Sequence, residues 1–192
     1  AWPESSRKSF QAKTICLKIV SGRETILDGS TLFESLIADF QERAFPAATR
    51  RDAAPPGLPG KIDVLIGMRR SGKSWRMAQA MADLVASGVP KTRLLHVNFD
   101  DERLRSLQAA DLQQLPAAFF RLTPQNKHER CHFFLDEIQN VPDWDAFVRR
   151  LLDTENVQMM LTGCSARLLS REIASTLRGR SLATEIFPFS FG

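Results

Sequence analysis

Residues 67–74, Gly-Met-Arg-Arg-Ser-Gly-Lys-Ser, fit the pattern G-x-x-x-x-G-K-(S/T) without a mismatch. The pattern constrains the fold as well as the chemistry. Its glycines let the backbone wrap a phosphate only where a strand enters the loop and a helix leaves it. Both neighbours are in place. Ile62 to Ile66 is an apolar run that reads as a buried strand of a parallel sheet, and Trp75 to Ser87 carries Met77, Met81, Leu84 and Val85 at helical spacing, with Gly88 as a stop. In that setting the loop amides and the helix N-terminus converge on a phosphate. Lys73 is expected at the β- and γ-phosphates, and the Ser74 hydroxyl on Mg²⁺. Gly67, Arg69, Arg70, Ser71, Gly72 and Trp75 complete the expected nucleotide-binding set.

The chain of 192 residues is long enough for one real core and an appendage, but hardly for two full domains. Its apolar fraction of 43% and charged fraction of 25% are those of a soluble globular protein. No apolar run approaches the roughly 18 residues of a membrane span. The chain opens on Ala1-Trp2 rather than Met, with no signal-peptide core, which suggests a processed or trimmed start. Three scattered cysteines (Cys16, Cys131, Cys164) argue against a disulfide or zinc framework and suit a reducing cytoplasm. The net charge of +4 is mild and not concentrated in any segment, so it is compatible with a nucleic-acid patch without showing one.

Ahead of the loop, Thr14 to Val20 reads as a strand and Asp28-Gly29 as a turn. Residues 31–45 read as a helix with the stripe Leu32, Phe33, Leu36, Ile37 and Phe40. The Pro- and Gly-rich segment 53–60 then marks a boundary between an N-terminal extension, 1–60, and a nucleotide-binding domain, 61–192. Downstream strands are expected at 93–99, 131–135, 157–161 and 182–186. Helices are expected around Leu104 to Leu115, broken at Pro116, then near Phe119 to Leu122, at 144–152 and at 166–177. Alternating strands and helices predict an α/β fold with a parallel sheet of about five strands, covered on both faces.

Phe133-Phe134-Leu135-Asp136-Glu137 places two carboxylates at the carboxyl end of a buried strand, where open α/β sheets bind ligands. Asp136 is expected to hold Mg²⁺ opposite Ser74, and Glu137 to act as the base that orients water toward a γ-phosphate. In a sheet ordered 5-1-4-3-2, the strand ending Leu161-Thr162-Gly163-Cys164-Ser165 lies between these two sites. Thr162 or Ser165 then stands near the γ-phosphate, while Ser165 serves equally well as a helix cap. Arg178 and Arg180 are candidates to stabilise transition-state charge, in cis or from a neighbouring subunit, with an exposed basic turn as the plainer reading. Asn126-Lys127-His128-Glu129 resembles a guanine-reading pattern, but it precedes the Asp136 strand and carries Glu where Asp is needed, so it reads as a solvated loop. Cys131 and His132 read as packing, and Asp100-Asp101-Glu102 as a turn, with contact to Mg²⁺ or its waters as the lesser alternative.

With these blocks in hand the chain resembles the bacterial and archaeal AAA-type ATPases whose ATPase module precedes a domain of unknown function. The resemblance is carried by 67–74, Asn-Phe-Asp-Asp-Glu-Arg at 98–103, Leu-Asp-Glu-Ile-Gln-Asn-Val at 135–141 with Trp144, Leu-Thr-Gly-Cys-Ser-Ala at 161–166, Leu-Leu-Ser-Arg-Glu-Ile at 168–173, Leu-Arg-Gly-Arg-Ser at 177–181 and Pro-Phe-Ser-Phe at 188–191. It implies an additional-strand, catalytic-Glu fold, ATP as nucleotide, Asp136 for magnesium, Glu137 as base, and Arg178 or Arg180 in the nucleotide response. Cys164 stands where the family usually has Ser. The last block normally leads into a second domain, which suggests a fragment. The expected activity is Mg²⁺-dependent ATP hydrolysis coupled to a DNA or protein effector. Homo-oligomerisation is compatible with it, and no membrane is implicated. The rivals are a nucleotide-held switch or DNA-binding adaptor with little turnover, and a small-molecule kinase.

Overall fold

The computed structural model describes residues 29–46, 49, 55–164, 177 and 179–188. The expected strand at 14–20, the Asp28 turn, nearly all of the helix at 166–177, and Cys16, Ser165 and Arg178 lie outside the described residues.

Five parallel strands form one sheet: β1 (Ile62–Gly67), β2 (Leu94–Asn98), β3 (Cys131–Asp136), β4 (Val157–Cys164) and β5 (Ser181–Glu185). Their order is β2-β3-β4-β1-β5, the expected 5-1-4-3-2 read from the other edge. β4 is the central strand, pairing Leu65 with Thr162 on one side and Leu135 with Leu161 on the other. β1 is buried at every position, because helices cover both faces.

The four α-helices among the described residues are α1 (Gly29–Glu42), α2 (Lys73–Ala86), α3 (Gln114–Leu122) and α4 (Trp144–Thr154). On one face, Phe33, Leu36 and Ile37 of α1, Leu115 and Phe119 of α3, and Trp144, Phe147, Val148 and Leu151 of α4 close on Leu95, Phe133, Leu135 and Leu161. On the other, Met77 and Met81 of α2 pack with Phe40 on Leu65, Leu94, Phe134 and Met160. Side chains alternate along each strand, so Leu65, Phe134 and Met160 put Gly67, Asp136 and Thr162 on the α2 face as well. Helix α1, from the expected N-terminal extension, thus packs into the same core as the sheet.

Two expectations change. The Leu104 to Leu115 stretch is not a helix broken at Pro116. Leu104 and Leu112 are buried from 3₁₀ turns at Glu102–Leu104 and Asp111–Gln113, and Pro116 sits in the first turn of α3, where its missing N–H costs nothing. Asn126 is no solvated loop residue. It is 2% exposed and its amide donates to the Thr92 carbonyl at 2.6 Å, which ties the approach to β3 to the start of β2.

Candidate functional site

Backbone geometry makes the loop between β1 and α2. Gly67 has φ 153°, and a Cβ there would lie 2.3 Å from the Ile186 carbonyl oxygen and 2.8 Å from Ser71 Oγ. The residue is therefore glycine because the chain leaving β5 is seated against it, with the Ile186 amide donating to the Ile66 carbonyl at 2.8 Å. Arg70 (φ 64°) and Gly72 (φ 93°) are left-handed, and the Ser71 amide closes the turn on the Met68 carbonyl at 3.2 Å. Gly72 offers α2 no side-chain cap, which leaves its first amides pointing out of the helix N-terminus.

Lys73 is buried, and its ammonium donates to the Gly67 and Met68 carbonyls at 3.2 and 3.0 Å. Ser71 is buried too, and its Oγ has no hydrogen-bond partner among the described residues. Arg69, Arg70, Ser74 and Trp75 are exposed.

Asp136 ends β3 buried, level with Asn98 of β2, and its carbonyl accepts the Phe99 amide at 2.9 Å. Thr162, fully buried in β4, connects the two acidic residues. Its hydroxyl donates to Asp136 Oδ1 and accepts the Glu137 amide at 3.1 Å. Glu137 is left-handed (φ 54°), which turns the chain sharply out of β3, and its Oε2 accepts from the Gln139 side-chain amide. Asn140 Nδ2 spans to the Phe99 carbonyl (3.4 Å) and Asp100 Oδ1 (3.2 Å), joining the turns after β3 and β2. One strand, β4, separates β1 from β3, so the loop and the acidic pair stand about 10 Å apart at the same end of the sheet. His96, on the same face with its ring 5.6 Å from that of Phe40, is held below the usual imidazole range by burial, against the pull of the Asp136 carboxylate.

These residues fit a nucleoside triphosphate with its divalent cation. Lys73, the uncapped α2 amides and the partnerless Ser71 hydroxyl supply donors for phosphate oxygens, and Gly67 removes the side chain that would collide with the loop's own support. The described residues contain no cluster of three or more His, Cys, Asp and Glu that could hold a metal. An ion here suits the Mg²⁺ pattern of one or two protein oxygens completed by phosphate and water.

Arg180 stands elsewhere. It directly precedes β5, where its carbonyl accepts the Ile62 amide at 2.8 Å, and its guanidinium pairs with Asp153 at 2.5 Å. That is the amino end of β1, roughly 16 Å of strand from Gly67. Because β5 runs parallel to β1 and starts beside its amino end, Arg180 lies at the end of the sheet away from the phosphate loop. Asp101 does form a turn: it accepts the Arg103 amide at 2.9 Å, and the Arg103 guanidinium holds its carboxyl below the usual range. Cys131 is packing, its thiol pushed up to about 11 chiefly by burial.

Two groups were not singled out from sequence. Gln139 was visible only as a letter in the block after Glu137. The second group lines a cavity of about 330 Å³ under α2, formed by Asp63, Arg76, Arg130, His132, Gln158 and neighbours. Asp63 sits inside an apolar strand run, and a charged residue at such a position was the available signal.

A parallel sheet in this order, with a glycine loop between its β1 strand and α2, defines a P-loop NTPase. The AAA domain family matches residues 59–192, and the chain belongs to that family. It is 39% identical over 168 residues to an uncharacterized protein of Methanocaldococcus jannaschii, covering 87% of this chain and 36% of that one. It is 35% identical over 131 residues to an uncharacterized protein of Haemophilus influenzae, covering 68% and 32%. The chain thus spans about a third of the length of these relatives. Among solved structures it is similar to a DNA polymerase III gamma subunit-related protein from Thermotoga maritima, with TM-score 0.44 and 14% identity over 80% of this chain and 45% of that one. No helix among the described residues is long and apolar enough to cross a membrane.

Proposed function

We propose that this AAA domain binds ATP with Mg²⁺ in the cytoplasm and hydrolyses it, coupling the nucleotide state to a protein or DNA effector. The observation that carries the reading is the Thr162 hydroxyl, which fixes both Asp136 and the Glu137 backbone at the end of the sheet that holds the phosphate loop.

The geometry supports the following roles. Lys73 exchanges its two loop carbonyls for β- and γ-phosphate oxygens, keeping its charge-assisted hydrogen bonds. The α2 amides and Ser71 bind the remaining oxygens, and the exposed Arg69, Arg70 and Trp75 flank the nucleotide. Ser74 and Asp136 would hold Mg²⁺, which would supply positive charge to offset that of the phosphates. Glu137 accepts a proton from a water whose oxygen bonds to the γ-phosphorus, as the bond from that phosphorus to the ADP oxygen breaks. Arg178, or Arg180 from a second copy of the chain, is the proposed arginine for the charge that develops. Asp136-Glu137 favours water over a kinase acceptor.

Phosphate release, measured with and without DNA, tests the reading. Wild-type protein is expected to turn over only with Mg²⁺, and Glu137→Gln to bind ATP without releasing phosphate. ATP binding with no turnover under either condition would establish the switch instead, and normal turnover by Glu137→Gln would remove Glu137 as the base.

A further inference from the structure

A water that attacks phosphorus must direct a lone pair at it, and it is best held for this when both of its O–H groups are donated elsewhere. Glu137 supplies one acceptor. The second has to come from the same cluster, and most of that cluster is engaged. The Thr162 hydroxyl spends its proton on Asp136 and accepts the Glu137 amide. The Asn140 amide is turned toward the Phe99 carbonyl and Asp100. Asp136 accepts from Thr162 and is proposed for the metal.

Gln139 differs. Its Nε2 donates to Glu137 Oε2, and its Oε1 is buried with no hydrogen-bond partner among the described residues. A partnerless buried carbonyl oxygen is destabilising, so its placement beside a carboxylate calls for a reason. The left-handed Glu137 supplies the local geometry: the chain turns there, and a 3₁₀ turn over Ile138–Asn140 brings side chains two residues apart into contact. Ile138, between them, is fully buried and anchors that turn in the core.

We propose that Gln139 is a catalytic residue of this site: its Oε1 accepts the second hydrogen of the attacking water, while its Nε2 holds one Glu137 oxygen so that the other faces that water. The proposal rests on the ATPase reading. The balance is that of hydrolysis. The water oxygen bonds to the γ-phosphorus, the phosphorus–oxygen bond to ADP breaks, one water proton passes to Glu137, and the other stays on the phosphate product.

The test is Gln139→Met, which keeps the length of the side chain and removes both hydrogen-bonding ends, with Gln139→Ala as the second variant. Phosphate release, ATP affinity and thermal melting are measured on each. The expected result is turnover lowered about 10- to 100-fold, in line with the loss of one positioned polar group, with ATP affinity and melting temperature unchanged. Wild-type turnover in either variant that folds overturns the proposal. So does a loss that tracks ATP affinity or melting temperature, which would make Gln139 structural. Wild-type protein that binds ATP and does not turn it over overturns the ATPase reading itself, and the proposal with it.

Discussion

The Thr162 hydroxyl donates to Asp136 Oδ1 from a fully buried position on the strand between the phosphate loop and the acidic pair. The same oxygen accepts the Glu137 amide, so one side chain sets the position of the last residue of β3 and of the residue after it. Thr162→Val keeps the shape and removes the hydroxyl, leaving the part-buried Glu137 amide unpaired and the buried Asp136 carboxylate without its donor. The expected cost is about 1–3 kcal/mol of stability, read by urea unfolding, together with loss of phosphate release. Thr162→Ser should keep most of both. A valine variant as stable and as active as wild type would show that the bond sets nothing.

Lys73 leads to a prediction about affinity. Its ammonium already lies in the loop, bonded to Gly67 and Met68 carbonyls, so it needs only to change partners when phosphate arrives. Removing a charged hydrogen-bond donor of this kind costs about 1.5–3 kcal/mol, or roughly 10- to 150-fold in ATP affinity. Lys73→Met should show that loss in direct titration, and the rise in melting temperature on adding ATP should shrink with it. Lys73→Arg should not restore it, because a planar fork replaces a compact point charge in a buried slot. Full affinity in Lys73→Met would mean that the loop does not take phosphate at this position.

Gly67 couples the loop to the far edge of the sheet. A methyl group there meets the Ile186 carbonyl at 2.3 Å, and that carbonyl belongs to backbone held by the Ile186 to Ile66 hydrogen bond. Gly67→Ala therefore forces either the loop or the exit from β5 to move. Overpacking of this sort costs about 1–3 kcal/mol, and ATP affinity should fall with stability. Gly57→Ala, at a glycine with open space around it but a left-handed φ of 59°, should cost less and leave ATP affinity intact. Equal effects from the two substitutions, seen in urea unfolding and nucleotide titration, would contradict the close approach at Gly67.

The strands and the two ends of the site were legible because their signals are local. A run such as Phe133-Phe134-Leu135 closed by Asp136-Glu137 declares a buried strand and its carboxyl terminus together, and the glycines of 67–72 declare a loop by what they lack. What failed depends on tertiary placement. Pro116 reads as a helix break, but it is harmless in a first turn, and the periodic leucines before it are buried from 3₁₀ turns instead. Arg180 looks like a phosphate ligand until the register of β5 on β1 carries it to the opposite end of the sheet. Gln139 has no pattern of its own. Its meaning comes from the left-handed turn at Glu137, which no residue type at that position demands.

Asp63 and His132, which both line the cavity under α2, have opposite dependence on pH. Asp63 is buried with one amide donor, Gly57 at 3.3 Å, and burial raises its carboxyl above the ordinary 3.8. As pH rises past 3.8 the unfolded chain ionises first, so stability falls until the folded carboxyl titrates and is flat above that. His132 is lowered from 6.5 by burial and by the charges of Arg130 and Arg93. As pH falls through 6.5 the unfolded chain takes up the proton first, so stability is lost down to the folded value. Asp63→Asn should therefore gain on wild type as pH rises above 3.8, and His132→Gln should gain on it as pH falls below 6.5. Urea unfolding between pH 3.5 and 8 measures both differences. A difference for Asp63→Asn that is constant or shrinks with rising pH would show that the carboxyl is not held in a desolvated place. A flat difference for His132→Gln would do the same for the imidazole.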